Sequence, residues 1–146
     1  MEETLPYRFK ISLRFRHPKM ELSGCSSEFG LVPTRQWSVG QERSSLRGQP
    51  LEGLWDSSYW TTPLEIEPDE AIETALIRIA QWLDRHASFL STHSNSGGSA
   101  ALFIGLFLEG FSCGFSLEPS LLAQYTSLGV AMEFDVYGPS DVPDAP

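Results

Sequence analysis

Between Tyr7 and Arg16 apolar and polar residues alternate without interruption, with Tyr7, Phe9, Ile11, Leu13 and Phe15 set against Arg8, Lys10, Ser12, Arg14 and Arg16. Successive side chains of a strand point to opposite faces, so this period of two predicts a half-buried strand. From Ile72 onward the period changes. Ile72, Leu76, Ile79, Leu83, Ala87 and Leu90 recur at three and four, which places them on one face of a helix lying against the sheet. Glu67-Pro68-Asp69-Glu70 is expected to open that helix, because proline suits the first helical position and acids complement the positive end of the macrodipole.

The remaining elements follow from punctuation as much as from period. A weak helical stretch from Met20 to Phe29, interrupted by Gly24, ends at Gly30-Leu31-Val32-Pro33, where glycine can turn left-handed and proline prevents continuation. Arg35–Gln41 and Leu51–Trp60 are predicted to form a long-looped hairpin, closed by Pro63. Ser91–Ser99 is predicted to be a flexible polar loop. Ala101–Glu109, apolar on both faces, is expected to be a central strand and to pair with Phe111–Leu117 in a tight hairpin about Gly110. Pro119 starts a short helix that Gly129 ends. Val130–Tyr137 closes the chain as a strand in which Met132, Phe134 and Val136 alternate with Glu133 and Asp135.

This order predicts an α+β fold: a mostly antiparallel sheet of about five to six strands with helices packed on one face. Residues 1–138 are expected to form one domain, and 139–146 a disordered tail rich in proline and aspartate. The first and last strands are expected side by side, which would set Glu133 and Asp135 near Arg8, Lys10 and Arg14.

Composition sharpens the picture. The 146 residues are 41% hydrophobic and 20% charged, as in a globular protein, and the net charge of −9 conceals an asymmetry. Residues 1–48 carry eight of the ten lysines and arginines against five acids, whereas residues 49–146 carry two against fourteen. The excess of acid disfavours a nucleic-acid backbone and favours a basic protein partner. The apolar run Ala100–Leu108 is far too short to span a membrane. The acidic start Met1-Glu2-Glu3 is unlike a secretory or transit signal, so a cytoplasmic location is expected, with Cys25 and Cys113 as free buried thiols.

Few residues assemble into chemistry. Gly110-Phe111-Ser112-Cys113-Gly114 fits the G-x-S-x-G nucleophile elbow, but an elbow needs a helix after the serine, and here a strand is expected. All three histidines, His17, His86 and His93, also lie upstream of Ser112, against the hydrolase order. His86 and His93 lack further ligands at metal spacing, and the acids Glu65, Glu67, Asp69, Glu70 and Glu73 are explained by a helix start. Gly97-Gly98 precedes a strand and so makes no phosphate cradle. No metal or cofactor is expected. The basic face of the first strand could dock RNA, but its aromatics Tyr7, Phe9 and Phe15 occupy the opposite face, and internal pairing with the acidic last strand is the simpler reading. Trp37, Trp55, Tyr59 and Trp60 can fill a core or anchor an interface.

Gly30-Leu31-Val32-Pro33-Thr34-Arg35-Gln36-Trp37-Ser38-Val39-Gly40, followed by Glu52-Gly53-Leu54-Trp55, resembles the paired signature of an uncharacterised bacterial family, domain of unknown function four-two-seven-nine. Gly114-Phe115-Ser116-Leu117, Leu128-Gly129 and the strand ending in Tyr137 are similar as well, so the resemblance covers nearly the whole chain. It implies a small stand-alone bacterial protein of no established activity. Some members resemble immunity proteins, which bind and block a toxin.

Two functions follow as expectations. One is a binding module, plausibly of immunity type, that neutralises a basic protein partner such as a toxin through charge complementarity, with Thr34, Arg35, Trp37, Glu52 and Trp55 as the binding residues. The other is a small-molecule binder or acid/base enzyme with a pocket around Arg35, Trp37, Glu52 and Trp55, in which Glu52 acts as acid or base and Arg35 holds an anion.

Overall fold

The computed structural model describes residues 5–139. In chain order it contains β1 (Tyr7–His17), α1 (Ser23–Phe29), β2 (Arg35–Trp37), β3 (Glu42–Ser44), β4 (Pro50–Leu54), β5 (Ser58–Leu64), α2 (Ile72–Asp84), α3 (Ala87–Asn95), β6 (Ser99–Leu108), α4 (Pro119–Leu128) and β7 (Val130–Tyr137). Five strands form one sheet in the order β2-β5-β1-β6-β7, and β3 and β4 form a separate pair. The sheet is antiparallel except between β6 and β7. The fold is therefore α+β, with helices against one face.

β1 is the middle strand of the five, and its alternation reflects one face buried and one face open. Tyr7, Ile11, Leu13 and Phe15 are buried beneath the helices. From the other side of that core α2 contributes Ile72, Ala75, Leu76, Ile79, Ala80 and Leu83. Burying each such large side chain contributes roughly 1.5–3 kcal/mol. Trp60, wholly buried, packs edge-on against Phe15 and donates its Nε1–H to Ser26 Oγ at 2.9 Å, which ties α1 to the sheet. α1 ends as expected: Gly30 adopts φ 64° and its N–H donates to Ser26 O.

Several expectations are corrected. The long helix is two. α2 ends at Asp84, Arg85 N–H and His86 N–H bond back only three residues, and α3 starts afresh, so Ala87 is exposed instead of continuing the stripe. Helix α2 also starts later than Pro68. Asp69 takes φ 62° and Glu70 N–H closes a turn on Glu67 O, so Ala71 becomes the residue that enters the helix. Ser91–Asn95 is helical, because Leu90 and His93 share a buried face that outweighs the poor propensity of serine and asparagine.

Phe111–Leu117 is not a strand. β7 lies parallel to β6, and parallel neighbours need a crossover, which residues 109–118 and α4 supply. The alternation there has another cause: Cys113, Phe115 and Leu117 pack against the core without joining a ladder. Ser112 is exposed in this crossover, and helix α4 begins only at Pro119.

The predicted hairpin is divided, with β2 pairing with β5 and β3 with β4. First and last strands are not adjacent either, because β6 lies between them. Arg14 still reaches Glu133, at 3.6 Å, across Phe103, whereas Arg8 pairs with Glu109 at 2.7 Å and Lys10 stands opposite Gly105. The expected disorder at 139–146 falls, apart from Pro139, outside the described residues.

Candidate functional site

The sheet has one face without helices. Register assigns to it Arg35 and Trp37 of β2, Tyr59 and Thr61 of β5, Arg8, Lys10, Ser12, Arg14 and Arg16 of β1, and, from β6 and β7, Phe103, Phe107, Glu133, Asp135 and Tyr137. Aromatic residues thus do share the face of the β1 cations, contrary to the reading from β1 alone. They come from neighbouring strands: the Arg14 guanidinium lies 3.8 Å from the Phe103 ring centroid, and Phe107 stacks on Tyr137 at 5.0 Å. Knowing the register, parity from the β1 arginines would have identified them.

At the β2 edge the chain leaves the sheet and returns as an arm. Ser38–Gln41 turns it, with Gly40 at φ 85°, Gly40 N–H bonded to Trp55 O and Trp55 N–H to Gln41 O. Buried Ser58 accepts the Val39 N–H on its Oγ at 2.9 Å. β3 and β4 then run out and back through a turn at Ser45–Gln49. Every residue of β4 is exposed, and a two-stranded hairpin is marginal by itself, so something else must brace it.

The brace is aromatic and cationic. Trp55 stacks on Trp37 with centroids 3.7 Å apart, and Trp37 on Tyr59 at 4.5 Å. Arg43 lies 5.2 Å from the Trp55 ring, Arg16 5.0 Å from Tyr59, and Arg35 4.7 Å from Trp37. Arg35 Nη2 also donates to Ser44 O at 2.8 Å, Arg43 Nη1 to Glu52 O at 3.1 Å, and Trp37 Nε1 to Ser57 O at 3.0 Å. Because Arg35 and Trp37 project from the open face, these contacts fold the arm back over that face.

Of the five residues singled out from sequence, Arg35, Trp37 and Trp55 therefore meet in one cluster. Thr34 lies beside it, exposed, with its N–H and Oγ1 both donating to Thr61 O. Glu52 does not join them. Its side chain faces solvent and makes no hydrogen bond or ion pair with a described residue, only its backbone carbonyl engaging Arg43. The two indoles cover each other, so the cluster encloses no vacant space between them.

Elsewhere, an open cleft of about 1420 Å³ lies at the far end of the sheet, lined by both ends of the described chain, Leu5 and Pro139 among them. Three of its six charged side chains are paired: Arg8 with Glu109, and Glu70 with Arg78, whose guanidinium holds that carboxyl below its ordinary value, while Lys10, Glu67 and Asp69 make no ion pair with a described residue. Among the described residues no group of three or more histidine, cysteine or acidic side chains could hold a metal ion, and no helix is long and apolar enough to cross a membrane.

Fold and site together define an open-faced α+β sheet domain carrying a braced hairpin arm. Residues 7–139 match the family described as "Domain of unknown function (DUF4279)", and the chain belongs to it. No curated protein and no solved structure matches the chain.

Proposed function

We propose that the chain is a protein-binding module whose arm presents the contact surface. One observation carries this reading. Leu46, Leu51 and Leu54 are 81%, 43% and 60% exposed on a hairpin that contributes nothing to the buried core, yet that hairpin is held in place by the Arg35, Trp37 and Trp55 cluster. Apolar side chains carried on a braced backbone leave less backbone freedom to be lost on binding, and tryptophan and arginine are the residue types that dominate interface energies. The finer reading is an immunity-type bacterial protein that neutralises a basic toxin. Its support is the net charge of −9 and the lack of an assembled catalytic set among the described residues. The pocket reading draws no comparable support, since Glu52 is solvated and the indoles stack on each other.

The test is parallel capture from native cells by the wild-type chain and by a Leu46→Ser/Leu54→Ser variant, followed by reconstitution from purified components. The expected result is a basic protein whose affinity for the variant falls about tenfold or more, with further weakening as salt rises. Equal binding by both chains would remove the arm from the interface. Failure to re-form any complex from purified components would remove the binding-module reading itself.

A further inference from the structure

The two edges of the sheet are built differently. At one edge β2 is only three residues long and passes into the arm. At the other, β7 runs for eight residues without proline, lysine or arginine. Among the described residues no backbone hydrogen bond joins β7 to anything but β6. In a parallel ladder every second residue turns its N–H and C=O away from its neighbour, so β7 holds a row of donors and acceptors without a partner among the described residues.

Its side chains are polarised as well. Register with β6 puts Glu133 and Asp135 on the open face, and Met132, Phe134 and Val136 on the helix side. The helices do not extend over the end of that side, where Phe134 remains 39% and Val136 59% exposed. A strand added beyond β7 would stand with one face beside Asp135 and Glu133, the latter shared with Arg14 at 3.6 Å, and the other beside exposed Val136 and the edge of Phe134, whose ring stacks on Phe115 of the crossover at 6.4 Å. Opposite charges and apolar pairs attract across strands, and like charges repel.

We infer that the free edge of β7 is a docking strand for an extended segment of another protein in which lysine or arginine alternates with apolar residues. A second copy of β7 fits poorly, because antiparallel pairing about a two-fold axis sets acids against acids. This surface lies at the opposite edge from the arm and does not depend on it, so the two readings can fail separately.

The probe is the capped peptide Val-Lys-Val-Lys-Val-Lys-Val, titrated into the isotopically labelled full chain while backbone amide signals are followed. Two further forms carry N-methyl groups on the lysines or on the valines. The unmodified peptide is expected to move the signals of Val130–Tyr137. One methylated form should bind about tenfold more weakly while the other keeps its affinity, since only one edge of an added strand bonds to β7. Asp135→Lys should weaken binding to a similar extent, and Leu46→Ser/Leu54→Ser should leave it unchanged. The inference is overturned if the peptide does not bind, if both methylated forms bind alike, or if the shifts map to the open face or the arm. It is equally overturned if the wild-type chain self-associates through β7, or if the peptide binds only after residues 140–146 are removed, which would make the chain's own tail the occupant.

Discussion

Trp37 and Trp55 lie face to face, with ring centroids 3.7 Å apart and planes 9° from parallel, and this contact fastens the arm to the sheet. Neither ring belongs to the main core, whose largest member is Trp60. Trp55→Ala should therefore loosen the arm more than it destabilises the domain. Loss of one stacked pair and of the Arg43 contact is expected to cost about 1–2 kcal/mol in global stability. The larger effect should appear in limited trypsin digestion, with cleavage after Arg43 and Arg47 greatly accelerated while the rest of the chain resists. Trp55→Phe should restore much of the protection. Unchanged cleavage in Trp55→Ala would mean that Arg35 and its bond to Ser44 O suffice to hold the arm.

Gly98 is required for a steric reason. A Cβ there would fall 2.4 Å from two atoms of the His93 ring. That ring cannot swing away freely, because it packs edge-on against Phe15 at 5.1 Å and its Nε2 bonds to Ser99 O at 3.1 Å. Gly98→Ala is expected to destabilise the fold by about 1–3 kcal/mol, the range for overpacking. Urea denaturation of Gly98→Ala, His93→Ala and the double variant gives the check. The double variant should be markedly less destabilised than the sum of the singles, and simple additivity would show that the clash is relieved elsewhere.

Period predicted elements well where one face alone is buried. β1 alternates because it is sandwiched between helices and solvent, and the Ile72–Leu83 stripe repeats because α2 lies flat on that sheet. Period failed where packing overruled it. Phe111–Leu117 alternates like a strand, yet its apolar residues line a crossover, and no local signal distinguishes the two. His93 lies within a polar run, and only its tertiary burial shows why Ser91–Asn95 stays helical. The site was legible in part. Arg35, Trp37 and Trp55 were singled out by residue type and motif, but their meeting depends on a turn at Gly40 that folds the arm over the sheet. The alternative reading put Glu52 in one pocket with Arg35, Trp37 and Trp55, whereas its side chain faces solvent on the same arm. The open-face aromatics Phe103, Phe107 and Tyr137 could not be assigned to a face until the register with β1 was known.

The two cysteines should react very differently. Cys25 is buried in α1, and burial pushes its thiol up to about 12, whereas Cys113 is only partly buried in the crossover. Thiolate is the reactive form, so in a native chain at mildly alkaline pH a thiol reagent should modify Cys113 readily and Cys25 only after denaturant is added. Mass spectrometry of the labelled peptides distinguishes them. Rapid labelling of Cys25 in the native chain would reveal local opening of α1, which is short and has no side-chain hydrogen bond at its N-terminal cap.

Acid should weaken the fold through His93. His17 Nδ1 accepts the N–H groups of Lys19 and Met20, which leaves the proton of the neutral ring on Nε2, facing Ser96 Oγ at 3.0 Å. Ser96 Oγ in turn donates to His93 O, and the two imidazoles lie 5.7 Å apart. Burial, with a smaller contribution from nearby His17, holds His93 below its ordinary value of 6.5. In the unfolded chain that ring takes up a proton as pH falls below 6.5, whereas in the folded chain it does so only at lower pH. Between those values the unfolded state binds more protons, so stability is fully present above the unfolded value and declines as pH falls through the interval. The slope from this one site cannot exceed about 1.4 kcal/mol per pH unit. Glu70, held low by Arg78, acts in a separate window: its contribution is intact above its ordinary value of 4.5 and is lost only as pH falls below it. Urea midpoints measured from about pH 8 to about pH 5 should fall for the wild-type chain and flatten in His93→Gln, whose amide can still reach Ser99 O. If His93→Gln shows the same decline, the proton is taken up elsewhere and His93 is not the acid-sensitive group.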